Sequence, residues 1–423
     1  MNKTTKRIIQ ALVLVFASLG TVKAQSDINL SGYTLKFQDE FNTVSVTTAS
    51  PKGSSTWYYV PPYGAAGAYS ASQWDAAAFS VSGGILLDKA WLDASSKWHS
   101  GNLSSVDTTR AGFSQQWGYF EARCQMPNSG TGAWPGFWLG ETNWGQGVQG
   151  EEIDIFEWYG VCIPNNQNFV AENTHNWNTD GTQNTSVSYL SAPQTPLPGG
   201  AFPWQGYHIY GCLIDPVHLT WYIDGIQVNQ IATPTSYITA PFYIMLDYAL
   251  GGGWPLTGMV NNSTFNVDWV RVYSLPPATL TNGRSYQLEP ANAVGMRLDV
   301  TGNVDANGTN VEIWTANGSP GQKWTLIDNH DGTWGLAPVC APSRRLDVTG
   351  NVDANGTNVE IWIANGSLGQ KWALTDNHDG TYSLTPSIAP SRRLDVTGNG
   401  KTRGTNVEIW ISNGSAGQKW LLF

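Results

Sequence analysis

The sequence predicts an all-β protein in two parts, a sandwich of antiparallel sheets followed by a closed threefold β structure. Three observations predict it. A segment repeats three times at a spacing of 48 residues near the C-terminus. Upstream, alternating and apolar stretches are many and helical patterns few. Charged residues make up only 13%, while 46 Gly and 21 Trp stand among abundant Tyr, Asn, Ser and Thr, a composition suited to a β-rich protein that handles a neutral, hydroxylated ligand.

Taken in chain order, residues 1–24 come first. Lys3, Lys6 and Arg7 precede an apolar run over 8–20, and Val22-Lys23-Ala24 offers small residues for cleavage, the pattern of a secretory signal peptide. The run is short for a bilayer span, and no cysteine follows it to take a lipid. Export is therefore expected, to the extracellular space or a periplasm. Cleavage would remove four positive charges and no negative ones, taking the formal charge from −10 to −14. Such a chain repels nucleic acid and anionic lipid, so neither is an expected partner, and a heavily sulfated substrate is mildly disfavoured. Nothing in the sequence specifies an oligomer, and a monomer is expected. Cys124, Cys162, Cys212 and Cys340 are widely spaced and form no metal or redox pattern, leaving either one bridge among the first three or buried free thiols.

From 25 to 274, strands such as Gly118–Gln125, Gly206–Asp215, His218–Asp224 and Phe265–Tyr273 suggest the sandwich. Residues 275–281, with Pro276 and Pro277, read as a stiff linker. In 282–423, Arg-Leu-Asp-Val-Thr-Gly begins at Arg297, Arg345 and Arg393. Gly-Thr-Asn-Val-Glu-Ile-Trp ends at Trp314, Trp362 and Trp410, and Gly-Gln-Lys-Trp ends at Trp324, Trp372 and Trp420. Short strands and Asn/Gly turns in each copy favour threefold closure over an open solenoid.

The chemistry concentrates in Gly150-Glu151-Glu152-Ile153-Asp154-Ile155-Phe156-Glu157-Trp158. In a strand Glu152 and Asp154 share a face with position 156, but the next acid arrives one residue late. A β-bulge would turn Glu157 back onto that face. Three acids then crowd one surface while Ile153 and Ile155 enter the core, and like charges at that spacing raise one or more pKa values. One acid can stay ionised as nucleophile while another keeps its proton as general acid, the pair a retaining glycosidase needs. A calcium site or a solvated acidic strand would use the same acids, but Trp158 and the tryptophans around it favour a sugar. Glu151 is expected to point away as a solvated neighbour.

The stretch resembles the ExDxxE signature of glycoside hydrolase family 16. Phe37–Asn42, Gly118–Arg123, Trp134–Trp138, Trp221–Gly225, Gly252–Pro255 and Val267–Tyr273 resemble further family segments in order. The resemblance implies a β-jelly-roll sandwich and a retaining mechanism, with Glu152 as nucleophile, Glu157 as acid/base and Asp154 tuning the nucleophile between them. It places Trp138, Trp158 and Trp254 near the cleft as stacking surfaces, Trp134 as a structural residue, and Arg123 and His175 as hydrogen-bonding partners of the sugar. No cofactor is implied for catalysis. Glu40 and Asp268 resemble positions that hold a structural calcium in some members.

The repeats resemble the ricin-type β-trefoil, carbohydrate-binding module family 13. That implies sugar binding by Asp299, Glu312 and Trp314, by Asp347, Glu360 and Trp362, and by Asp395, Glu408 and Trp410. Gln322, Gln370 and Gln418, with the tryptophans that follow, are expected in the core. Two departures stand out: glutamates replace the usual glutamine, and Gly321, Gly369 and Gly417 replace the usual asparagine. The expected function is a secreted retaining endo-β-glycosidase acting on β-1,3- or β-1,3(4)-glucan, targeted by three weak sugar sites acting together. An agarase-like galactan hydrolase and a non-catalytic lectin are the alternatives.

Overall fold

The computed structural model describes residues 28–63, 70–144, 146, 149–160, 169–180, 182–184, 194–234, 238, 240–377 and 380–423. The proposed signal peptide and Cys162 lie outside them. Among the described residues there is no α-helix, and no helix is long and apolar enough to cross a membrane.

Two sheets form the first part. One has ten strands, with Gly118–Gln125 between His208–Ile214 and Ser263–Ser274, and Thr34–Asp39 added alongside Ser263–Ser274. The other has eight, and its middle runs Phe169–Trp177, Gly150–Glu157, Ala133–Glu141, Phe242–Leu250. Alternation decides which side chains meet between the sheets. Phe120, Ala122, Cys124, Phe137, Leu139, Ile153, Val270 and Val272, all at most 1% exposed, belong to one core cluster drawn from both. Cys124 and Cys212 are buried and free, and Cys340 is also free.

The second part has its own core, in which Trp324, Trp372 and Trp420 are fully buried. Each donates its indole N–H to the carbonyl of Leu298, Leu346 or Leu394 at 2.9–3.1 Å, so the closing Gly-Gln-Lys-Trp of each copy is a core lock. Hairpins pair Met296–Val300 with Thr309–Thr315, Arg344–Val348 with Thr357–Ile363, and Arg392–Val396 with Thr405–Ile411. The second strands also pair with one another. Where they meet, Asn358 donates to Asn310, Asn310 to Asn406, and Asn406 to Asn358, at 2.9–3.0 Å. The three amides form a closed ring.

The segment between the two parts is held down. Thr279 O accepts from the Tyr286 hydroxyl at 2.7 Å and Ala278 O from the Tyr382 hydroxyl at 2.8 Å. Buried Glu289 accepts from the Trp117 indole at 3.0 Å and pairs with buried Arg297. Leu421 and Phe423 pack against the sandwich core.

Candidate active site

The Gly150–Glu157 strand carries the bulge its sequence calls for. Glu152 pairs with Gly140 and His175, and Asp154 with Trp138 and Asn173. Glu157 then pairs with Gly136 and Ala171. Three steps on this strand match two on each neighbour, so one residue is extra. Ile155 and Phe156, 2% and 0% exposed, both enter the sandwich core. Glu157 thereby returns to the face of Glu152 and Asp154. Opposite Glu152 the partner must be Gly140, since a β-carbon there would stand 2.6 Å from the Tyr243 hydroxyl.

Each acid has its own donors. Glu152 Oε2 accepts from Trp177 Nε1 at 2.8 Å. Glu157 accepts from Trp134 Nε1 at 2.8 Å and Asn173 Nδ2 at 2.6 Å, and the Tyr159 hydroxyl also bonds to it. Asp154 is buried, hydrogen-bonded to Glu152, with His175 Nε2 3.2 Å from its Oδ2. Gln183 in turn bonds His175 Nδ1 at 2.8 Å. Burial first, then the Glu157 charge, pushes Asp154 well above the usual carboxylate range. Burial and the Asp154 charge do the same to Glu152. Burial and like charges therefore favour a site holding fewer than three negative charges, with Glu152 and Asp154 close enough to share a proton.

The flanks are aromatic. Beyond Glu152, Trp144 stacks on Trp177 with centroids 5.6 Å apart and leans on Tyr63 at 5.0 Å. Beyond Glu157, Tyr159 lies between Trp134 at 6.1 Å and Trp254 at 5.1 Å. Both ends thus present flat apolar surface of the kind sugar rings stack on.

Several expected residues stand elsewhere. Trp158 is 1% exposed, packed in the core against Trp204, and cannot touch a substrate; the chain leaves the strand at this position and alternation no longer holds. Arg123 lies on the opposite sheet, between buried Ala122 and Cys124, and its guanidinium turns outward to Asp268 and the Tyr207 ring. Neither residue lines the site. Asp268 is therefore held by Arg123, and Glu40 by Arg271 at 3.0 and 3.2 Å, so the two carboxylates expected to hold calcium each face a guanidinium. Among the described residues, the group with metal-ligand proximity is instead Glu152, Asp154 and His175, whose ligand atoms lie within 4.8 Å of one another. Trp138 is on the catalytic face but 7% exposed, donating to Asp247 at 2.8 Å. His175 reaches the site through Asp154, Trp254 sits half-buried at its edge, and Trp134 bonds an acid instead of serving only as packing. Glu151 is fully buried, accepting from Asn176 at 3.1 Å, and burial pushes it to about 9. Asn173, Trp177, Trp144 and Tyr159 escaped the sequence argument, although Asn173, His175 and Trp177 alternate along one strand and so share a face.

In the second part the three repeated sets are built alike. Asp299, Asp347 and Asp395, each 6% exposed, accept from Gln322, Gln370 and Gln418 at 2.9–3.0 Å. Among the described residues the other carboxylate oxygen of each takes no side-chain hydrogen bond. Their strand neighbours are Glu312, Glu360 and Glu408, and Trp362 and Trp410 are 37% exposed. Glycine at 321 has a steric cause: a β-carbon would stand 2.7 Å from Asn303 Oδ1 and 2.8 Å from Asp299 Oδ1. Asn303, one strand away in sequence, supplies an amide there and accepts from Gly321 N at 2.6 Å.

A bulged strand thus presents two glutamates around a buried aspartate, between aromatic flanks. The family model described as Beta-porphyranase A-D, GH16 domain, matches residues 34–275. More than half of the chain is covered, and the protein belongs to glycoside hydrolase family 16. A ricin-type beta-trefoil lectin domain-like model matches 266–362. The chain is 29% identical over 292 residues to endo-1,3-1,4-beta-glycanase EglC of Rhizobium meliloti (strain 1021), covering 62% of this chain and 57% of that one. It is 26% identical over 287 residues to glucan endo-1,3-beta-glucosidase A1 of Niallia circulans, covering 60% and 39%. It thus spans about half or less of the length of these relatives. The laminarinase from Flavobacterium sp. UMI-01 is a similar solved structure, at 22% identity and TM-score 0.44, covering 57% of this chain and 100% of that one.

Proposed function

We propose that this protein hydrolyses a β-linked polysaccharide by double displacement with retention. The observation that carries the proposal is the bulge that returns Glu157 to the side of Glu152, with Asp154 between them. Glu152 attacks the anomeric carbon while Glu157 gives its proton to the departing glycosidic oxygen, and the C–O bond breaks. Water then attacks the glycosyl ester, Glu157 takes the water's proton, and Glu152 leaves as carboxylate. Asp154 holds a proton toward Glu152, and His175, fixed by Gln183, orients Asp154. Trp134, Asn173 and Tyr159 aim Glu157 at the bond.

The substrate we assign is a β-1,3- or β-1,3(4)-glucan, cut internally. The names of the two relatives support this, as does the aromatic surface at both ends of the acid row. A galactan of the porphyran or agar type is the second reading, favoured by the description of the matching family model. The chain is exported, and its three Asp–Glu–Trp sets hold it to the polymer by summed weak contacts. Release of reducing ends from laminarin, lichenan, agarose and porphyran, measured side by side, tests the assignment; turnover on the galactans alone would replace the glucan reading. A Glu152→Gln variant is expected to bind polymer without cutting it, and sustained turnover in that variant would remove the mechanism.

A further inference from the structure

The three sugar-site sets differ in what overhangs them. Each outward Glu–Trp pair is flanked by a loop from another repeat. A β-carbon at Gly308 would lie 3.7 Å from Glu360 and 3.8 Å from Trp362, and one at Gly404 would lie 3.7 Å from both Glu312 and Trp314. Gly356 stands in the same way beside Glu408 and Trp410. The loops before these glycines are not equivalent. Residues 304–307 and 352–355 both read Val-Asp-Ala-Asn, whereas 400–403 read Gly-Lys-Thr-Arg.

In the first two loops the aspartate is matched. Arg344 Nε meets Asp305 at 2.5 Å and Arg392 Nε meets Asp353 at 2.7 Å. The residue corresponding to those arginines in the first repeat is Met296, and the third loop has no aspartate for it to meet. That loop instead brings Lys401 and Arg403, both exposed. The Arg403 guanidinium lies 5.7 Å from the Trp314 ring centroid, and among the described residues neither cation has an ion-pair partner. The second and third sites are therefore bordered by loops whose charges cancel, and the first by a loop with two unmatched positive charges.

We propose that the first site takes a sugar bearing an anionic substituent, a sulfate ester or a carboxylate, while the second and third take neutral residues. The proposal rests on the reading of the three sets as sugar sites. A guanidinium beside a stacking ring offers a planar fork of N–H donors to a two- or three-oxygen anion, and Lys401 adds a point charge next to it. Both groups are exposed, so the preference weakens as salt rises.

The test uses the full chain carrying Glu152→Gln, so that polymer survives, in gels containing laminarin, agarose, a sulfated galactan or alginate. Lys401→Ala/Arg403→Asn is expected to weaken retardation by one of the polyanions about tenfold at low salt, with laminarin and agarose unaffected. Loss on the galactan assigns sulfate, and loss on alginate assigns carboxylate. Unchanged retardation by both polyanions, or equal loss on neutral and charged polymers, overturns the proposal. A Trp314→Ala/Trp362→Ala/Trp410→Ala variant separates the underlying reading: if it migrates like its parent in every gel, the sets are not sugar sites at all.

Discussion

Glu157 and Glu152 are separated by chemistry as well as position, and substitution should distinguish them. Glu157→Gln is expected to lower turnover roughly 10²–10⁴-fold, and least on substrates with an activated leaving group, which need no proton. Trp177→Phe removes the indole N–H that meets Glu152; a charge-assisted bond of this kind is worth about 10–100-fold, expected in kcat with little change in KM. Away from the reacting face, Glu151 and Glu172 are buried and held up near 9 and 8 by desolvation. Their folded values lie above their unfolded ones, so their contribution is whole below about pH 4.5 and is lost as pH rises through about 8–9. Thermal melts should therefore fall toward alkaline pH, and Glu151→Gln should flatten that fall. A melt of the variant that drops as steeply as the parent's would exclude this source. The identity of the three acids was legible because carboxylates are rare in an apolar strand. The burial of Glu151 was not, since only the fold shows that its neighbours Glu141 and Asn176 close over it.

At the scale of the strand, the bulge makes a prediction about length. Deleting Ile155 leaves a regular strand in which the third acid still falls on the catalytic face, so some turnover is expected to persist. Deleting Phe156 as well leaves that acid an odd number of steps from Glu152 and turns it inward, and turnover should drop to the level of Glu157→Gln. Equal activity in the two variants would show that the side of the strand does not matter. The bulge could be read from sequence because an acid one step off its period, after two apolar residues, has no other way back to the surface. The same period failed at Trp158, where the strand ends, and at Arg123. Alternation says that a strand has two faces; it does not say which sheet the strand joins, and Arg123 faces outward on the wrong one.

Across the whole molecule, the polar contact between the two parts runs from Trp117 through Glu289 to Arg297. Arg297→Ala strands a buried carboxylate and is expected to cost about 3–5 kcal/mol, read from denaturant unfolding. Replacing both members, as Glu289→Gln/Arg297→Met, should cost much less. The 48-residue repeat announced a threefold module from sequence alone, but this junction did not show itself. Trp117 and Glu289 are 172 residues apart, and the residues at the position of Arg297 in the other repeats, Arg345 and Arg393, donate to the carbonyls of Arg344 and Arg392. Net charge was equally silent about geography: an acidic total concealed the cationic loop at 401–403.

The ring of Asn310, Asn358 and Asn406 has a consequence for how the module comes into being. Each amide hands one proton to the next and receives one in return, so the circuit has a sense of rotation and no terminus. Two repeats leave it open, with a donor and an acceptor facing nothing. A chain stopped short of Asn406 should therefore stay loose, and only the arrival of the last hairpin lets all three copies settle at once.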